Sequence, residues 1–366
     1  MSEPKQGEML GSDEPGVTAE GEALPSDPKR IRYLEMPAPA AGTCVPIADG
    51  LWWARIPLPI DLNHINVWLL ERPSGFLAVD TGMAASICRD AWEEIERELL
   101  ARKPLEGVFV THVHPDHIGL AAWLQERYGV PVWMSSRAQQ SAQAVFSGDA
   151  FGSEEVESFL RRHGVPDLAP WRALFRPERF VRMTSGLPHV ERLVEDGARI
   201  DWGAAQWEAL GTDGHAEGHL CLYSGRSGHL ISGDQILPTI SSNISIVVGQ
   251  RDMNPLRSYL ESLARLRELP ADTLVLPSHG IPFRGLRQRI EDLQAHHRRQ
   301  LAKIDSACAQ PRTAYELLPT LFRRELGGMH LLLALGEAIA HLEYLANAGN
   351  LERRIEGGVT RYRCLR

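Results

Sequence analysis

The sequence predicts an α/β fold of layered sheets and helices, followed by a small helical module. Three observations carry that prediction. Short β-type runs alternate with helical ones between about residues 44 and 285. Several of the runs stop on a His or Asp side chain. Beyond residue 285 the pattern becomes mostly helical.

Residues 1–30 hold seven acidic and three basic residues among Gly, Pro and Ser, with almost nothing to bury, so a disordered acidic tail is expected there. Strands follow at "GLWWARIPL", "INVWLL" and "GFLAVD", with "RPSG" as the turn between the last two. A helix comes next, for which Ser86 is a candidate cap and Ile87, Ala91, Ile95 and Leu99 recur at a spacing of four. The strand "GVFVT", a loop rich in His, a helix over about 119–128 and the strand "VPVWM" continue the alternation. Residues 135–200 are less regular, with a helical piece at "SEEVESFLRRHG" and prolines at 166, 170, 177 and 188. Strands resume at "AQWEALGT", "HLCLYS" and "GHLISGD", and a helix over roughly 255–268 and the strand "DTLVLPSHG" close a domain spanning 31–285. The remaining 286–366 reads as three helices and a hairpin turning at Gly357 and Gly358, the outline of a winged helix.

A chain of 366 residues, 43% hydrophobic, can bury a large core. Its net charge of -8 argues against a protein built mainly to coat nucleic acid or an anionic membrane. Five scattered cysteines without CxxC spacing suggest idle thiols in a reducing compartment. The N-terminus has acidic residues where a secretory signal needs basic and apolar ones, and the apolar segment 329–349 carries Glu337, His341 and Glu343. A soluble, cytoplasmic protein without a membrane span is expected.

The informative stretch is "VFVTHVHPDHIGL", which releases His112, His114, Asp116 and His117 into one loop after an apolar strand. Further donors stand at or near later strand ends: His215 in "GTDGHAEGH", Asp234 in "LISGDQI" and His279 in "LVLPSHG". Six or seven nitrogen and oxygen donors suit a pair of borderline metal ions. In this order the motifs resemble those of the metallo-β-lactamase superfamily over roughly residues 45–285. The resemblance implies a four-layer αββα sandwich. It also implies that His112, His114 and His215 bind a first metal, that Asp116, His117 and His279 bind a second, and that Asp234 bridges them. Asp80, in "AVDTG", is similar to the family's aspartate that orients a ligand histidine. Zinc is the expected ion, one or two per chain, with iron or manganese as alternatives.

Some features narrow the choice within the family. "TDGHAEGH" lacks the prolines of the usual TPGHTPGH pattern but keeps its His. Asp234 stands where the lactamases proper tend to use Cys or His, and His114 where diiron flavoprotein oxidases have Glu, so antibiotic hydrolysis and redox chemistry are disfavoured. The 44 residues between Asp234 and His279 leave no room for the inserted domain of RNA 3'-end processing nucleases. What remains looks similar to the hydroxyacylglutathione hydrolase-like branch, with a winged-helix-like module appended. The 98-residue interval from His117 to His215 makes residues 135–200 a candidate insert, acting as a lid or a dimerisation segment.

Metals in such a site supply an activated water, so no side-chain nucleophile is needed, and Asp116 is the candidate to orient that water and pass its proton on. The expected activity is hydrolysis of a small ester, thioester or related electrophile. Alternatives are an endoribonuclease or phosphodiesterase, a hydrolytic dehalogenase of an aryl chloride, and a non-catalytic winged-helix nucleic-acid-binding protein. A small-molecule substrate is the expected partner, nucleic acid a less favoured one, and a homodimer is considered.

His64 reads as a pocket-wall donor or, in the favoured reading, as a satisfied structural histidine. Asn243 lines the pocket or, more simply, serves a Ser-rich turn. His219 and His229 read as structural, and His296 and His297 as part of a solvated helix face. Residues 291–366 carry 11 basic and 9 acidic residues, with Arg353, Arg354, Arg361, Arg363 and Arg366 on or near the hairpin. That bias is weak for a nucleic-acid grip, so a cap packed on the catalytic domain is the favoured role.

Overall fold

The computed structural model describes residues 31–365 apart from 148–152, 173, 175, 176, 204, 251, 324 and 325. The acidic tail expected over 1–30 and Arg366 of the terminal hairpin lie outside the described residues.

In chain order the first half comprises β1 (Arg32–Tyr33), β2 (Cys44–Ala48), β3 (Leu51–Pro57), β4 (His64–Arg72), β5 (Gly75–Val79), α1 (Ser86–Ile95), β6 (Leu105–Phe109), α2 (Pro115–Ile118), α3 (Ala121–Tyr128), β7 (Val132–Met134), α4 (Ser136–Ser147), α5 (Ser153–Arg162), α6 (Ala169–Arg172) and α7 (Pro177–Arg182). The second half comprises β8 (Val190–Leu193), β9 (Arg199–Trp202), β10 (Ala205–Gly211), β11 (Leu220–Ser224), β12 (His229–Gly233), α8 (Pro255–Leu266), β13 (Leu274–Pro277), β14 (Phe283–Arg284), α9 (Leu286–Ala307), α10 (Ala314–Leu321), α11 (Gly328–Asn347), β15 (Leu351–Glu356) and β16 (Val359–Cys364).

Two seven-stranded mixed sheets form the sandwich. One runs β2-β3-β4-β5-β6-β7-β8 and the other β1-β14-β13-β12-β11-β10-β9. In the first sheet β5, β6, β7 and β8 pair in parallel, with α1 and then α2 and α3 as crossovers between them. Strand β5 is buried along its whole length, which is why "GFLAV" is apolar without alternation. Trp53, Trp68, Leu77 and Phe109 of this sheet meet Trp207, Leu222, Ile231 and Leu276 of the other between the layers. On the outer face, Cys88, Trp92, Ile118 and Leu124 cover the first sheet. Leu256, Tyr259, Leu263, Leu286, Ile290 and Leu293 cover the second, completing the helix-sheet-sheet-helix order.

Several expectations need correction. Ser86 is the first residue of α1 rather than its cap; Ala85 precedes it and makes no side-chain capping bond. Ile87 is 40% exposed, because the buried stripe runs through Cys88, Ala91, Trp92 and Ile95. Residues 135–200 are not one insert: β8 is the edge of the first sheet and β9 the edge of the second. Of the helices before them, α5 and α6 pack on the C-terminal helices, since Val156, Leu160, Leu168 and Trp171 share a core with Leu317, Leu335 and Ile339, whereas Ala138 and Ala142 of α4 pack on the first sheet. His296 and His297 are buried, not solvated, because α9 is covered by the sandwich along part of its length and by α11. The His297 ring lies 3.1 Å from that of His341, Nδ1 to Nε2. Helix α9 thus belongs to both cores, with Leu286 to Leu293 against the second sheet and Ile304 among the C-terminal helices.

The apolar segment 329–349 forms a packed helix, α11, and no helix among the described residues is long and apolar enough to cross a membrane. All five cysteines are free.

Asn66 ties the two sheets together. Its Nδ2 donates to the carbonyls of Pro277 and Gly280 at 2.9 Å each, and its Oδ1 accepts the Trp53 indole N–H at 2.8 Å. Removing a fully buried hub of this kind strands several polar groups at about 1–3 kcal/mol each. Asn66→Ala is therefore expected to lower stability by about 3 kcal/mol in urea melts; a loss under about 1 kcal/mol contradicts this role.

Candidate metal centre

Strands end where the ligand-type side chains begin. After β5 the chain turns at Asp80, which adopts φ +66°, a left-handed conformation uncommon for a residue with a Cβ. The turn aims the carboxylate sideways at the end of β6. There its Oδ1 accepts the Thr111 backbone N–H at 2.8 Å, and the Thr111 hydroxyl donates to Oδ2 at 2.9 Å. Oδ2 also accepts from His117 Nδ1 at 2.8 Å.

The loop after β6 passes through His112 and His114 into α2, a single helical turn with Pro115 in its first position. This turn places Asp116 and His117 on the same rim as His112. The Thr81 hydroxyl fixes it by donating to the His117 carbonyl at 2.6 Å. From the second sheet, β12 supplies Asp234 and β13 leads to His279, while His215 stands in the loop between β10 and β11. Gly233, at φ +53°, lets the chain turn just before Asp234; a Cβ there would stand 2.4 Å from His219 Nε2.

All seven candidate ligands meet. Donor atoms of His112, His114, His215 and Asp234 lie within 4.8 Å of one another, and so do those of Asp116, His117, Asp234 and His279. Asp234 is common to both sets. Its Oδ2 lies 3.4 Å from His215 Nε2 and 3.4 Å from His117 Nε2, and its Oδ1 lies 3.4 Å from His279 Nε2. Asp116 Oδ2 lies 3.3 Å from His279 Nε2.

Each of four imidazoles is anchored from behind through Nδ1. His112 reaches the Thr111 hydroxyl at 3.0 Å, His117 reaches Asp80, His215 the Asn243 carbonyl at 2.9 Å, and His279 the His64 carbonyl at 2.7 Å. With Nδ1 as donor, Nε2 is left as a lone-pair acceptor aimed inward. The inward atoms of His117, His215 and His279, with Asp234 Oδ1, are buried and make no hydrogen bond of normal geometry. Stranded lone pairs of this kind are costly unless a cation accepts them. The donor chemistry and the orphaned atoms therefore fit two borderline divalent ions, one set per ion and Asp234 between them.

The electrostatics agree. Burial and the neighbouring imidazoles hold His112 well below the usual imidazole range, and burial, followed by His215, pushes His114 down to about 3. Burial also acts against charge on His117 and His279. Asp116, Asp80 and Asp234 outweigh it at His117, raising that group well above its ordinary value, and Asp234 and Asp116 raise His279. Burial acts against charge on the carboxylates too, but His117 and His279 hold Asp116 down to about 2 and Asp234 well below its ordinary range.

The other singled-out residues sit around this cluster. His64 does not point into a pocket as a donor. Its Nε2 accepts the Gly280 N–H at 3.0 Å, its carbonyl anchors His279, and burial, followed by Arg55 and His279, pushes its pKa down to about 3. Asn243 contributes its backbone carbonyl to His215, while its side chain faces Ser245 and Glu337. His219 packs beneath the cluster, 4.9 Å from His112 between ring centres. Its Nδ1 is 2.8 Å from the Thr212 hydroxyl and its Nε2 accepts the Asp234 N–H at 3.3 Å. His229 is a buried residue of β12. Thr111, Thr81 and Asn66 were not singled out from the sequence. Only Thr111, beside His112, carried a positional hint.

Comparison with known proteins places this geometry. Residues 60–279 match the family model of the metallo-beta-lactamase superfamily, and residues 301–365 match that of the metallo-beta-lactamase-like C-terminal domain. A Bacillus subtilis (strain 168) protein described as probable metallo-hydrolase YqjP is 26% identical over 85% of this chain and 97% of its own length. Human acyl-coenzyme A thioesterase MBLAC2 is 26% identical over 65% of this chain and 80% of its own. Among solved structures, a beta-lactamase domain protein from Burkholderia ambifaria superposes with a TM-score of 0.85 at 37% identity, covering 94% of this chain and 100% of that one. With its fold, its two donor sets and both of its domains accounted for, the chain belongs to the metallo-β-lactamase superfamily and is a metallo-hydrolase.

Proposed function

We propose that this metallo-hydrolase cleaves the ester or thioester bond of a small acyl substrate, with zinc in both donor sets, in the manner of the superfamily's hydroxyacylglutathione hydrolase-like branch. The observation that carries the reading is Asp234 shared between a three-histidine set and a set containing Asp116. The thioester preference is supported by the human relative described as an acyl-coenzyme A thioesterase.

Bound cations in such a site polarise a carbonyl oxygen and lower the pKa of water to roughly 7. The chain's own residues do the rest. Asp116 keeps its carboxylate ionised and stands at the rim of its set, where it orients the attacking water and accepts its proton. The water oxygen bonds to the acyl carbon, the carbon–sulfur or carbon–oxygen bond breaks, and the proton held by Asp116 passes to the departing thiol or alcohol. His114 is half-buried, whereas His112, His117 and His279 are sealed and the His215 side chain is only 6% exposed, so substrate approaches from the His114 side.

The nucleic-acid reading draws less support. Three of the hairpin arginines are held in ion pairs: Arg353 pairs with Glu343 at 2.5 Å, Arg354 with Glu352 at 2.9 Å, and Arg361 with Glu316 at 3.5 Å. A wing that grips phosphates needs such groups free.

Two outcomes are expected. Purified protein should turn over an acyl-coenzyme A or glutathione thioester, lose that activity to a chelator and recover it with zinc; cleavage of RNA with no thioester or ester turnover overturns the reading. Asp116→Asn should lower kcat by on the order of 10²–10⁴-fold, with thioester KM little changed. A variant as active as the parent removes Asp116 from the proton path.

A further inference from the structure

The segment between β12 and α8 begins with Asp234 and runs from Ile236 to Ile246 without regular secondary structure, buried except for the half-buried Thr239, Asn243 and Ser245. Buried backbone of this kind must find partners for its carbonyl and N–H groups. Several come from the C-terminal helices. Arg289 of α9, fully buried, donates from Nε to the Leu237 carbonyl and from Nη2 to the Ile240 carbonyl, both at 2.6 Å. Burial lowers its pKa only to about 10, so the guanidinium is charged and both bonds are charge-assisted.

Helix α11 holds the other end. The Ile246 N–H donates to the Gly336 carbonyl at 3.0 Å. The Ser245 hydroxyl lies 2.5 Å from Asn243 Oδ1 and 3.2 Å from the Leu333 carbonyl. Asn243 Nδ2 is 3.4 Å from Glu337 Oε2. The helix reaches the segment only because residue 336 is glycine: a Cβ there would stand 2.8 Å from Ser245 Cβ and 3.1 Å from the Ile246 carbonyl oxygen. Between these two clamps lies Asn243, whose carbonyl takes the Nδ1–H of His215 at 2.9 Å.

We propose that Arg289 and the Gly336 face of α11 are positioning elements for the metal ligand His215, so that helices α9 and α11 complete the three-histidine donor set by clamping segment 236–246 from both sides. The inference rests on the reading of His215 as a ligand. None of the clamping groups reaches the cluster itself. They act through the Asn243 carbonyl, which sets the tautomer and orientation of the imidazole, and through the stretch that follows Asp234. The direct partners of ligand histidines typically control metal affinity by about 10–100-fold, and groups that fix such a partner act through it.

The test uses full-length protein carrying Arg289→Met, Arg289→Lys, Gly336→Ala or Ser245→Ala, with His215→Ala alongside. Zinc affinity is measured by chelator competition, and the ligand field by the visible spectrum of the cobalt-loaded protein. Arg289→Met and Gly336→Ala are expected to weaken one zinc equivalent by about 10–100-fold and to alter the cobalt bands, with Arg289→Lys partly restoring both. Wild-type affinity and spectrum in these variants, while His215→Ala loses the same equivalent, overturn the inference and leave the metal site standing. Unchanged zinc binding in His215→Ala overturns the ligand reading itself. Should Arg289→Met fail to fold, Gly336→Ala and the single-hydroxyl variant Ser245→Ala decide by the same two measurements.

Discussion

Imidazoles on the rim of two sheets crowd their lone pairs toward one spot, and four of them do so with an Nδ1–H tied to a group behind the ring. Those outward bonds are the constraint on which the rest of the site depends. An imidazole free to flip would turn a nitrogen toward any neighbouring acceptor and satisfy itself. Held by Asp80, the Asn243 carbonyl and the His64 carbonyl, the rings of His117, His215 and His279 cannot do so. Their inward atoms stay costly to leave bare, and that cost favours a cation.

The fold explains where the anchors come from. Parallel strands β5 and β6 finish side by side, so Asp80 at the end of one reaches Thr111 and His117 beyond the end of the other. Asn66 in β4 joins the first sheet to the end of β13, just before His279. The second sheet contributes Asp234 and His279 from its own parallel pair, β12 and β13. The two donor sets therefore form across the line where the sheets meet. Neither sheet holds a complete set, which makes the site sensitive to how the layers pack. The C-terminal module bears on that packing through α9, which is part of two cores.

Much of this was legible in the sequence, because ligands in this architecture are side chains of distinctive type placed at or near the ends of apolar runs. The strands carrying His112, Asp234 and His279 stood out by composition, and the helices and hairpin after residue 285 by periodicity and a Gly-Gly turn. What could not be read were the contributions of backbone. Nothing marks the carbonyls of His64 and Asn243 as anchors, since every residue has one, and only the register between distant segments brings them to a ring. The short edge strands β8 and β9 leave no mark in the sequence, because four residues are too few for a pattern. His296 and His297 looked solvated because a polar pair on a helix suggests an outer face. Their burial follows from α11 crossing α9, a tertiary fact with no local signal.

The claim at the centre of this account is that two cations share Asp234. The most direct measurement is anomalous scattering at the zinc edge from crystals grown with zinc. Two peaks are predicted, one bonded to His112, His114 and His215 and the other to Asp116, His117 and His279, with Asp234 touching both. A single peak bonded to residues of one set, with Asp234 turned away, would contradict the shared site.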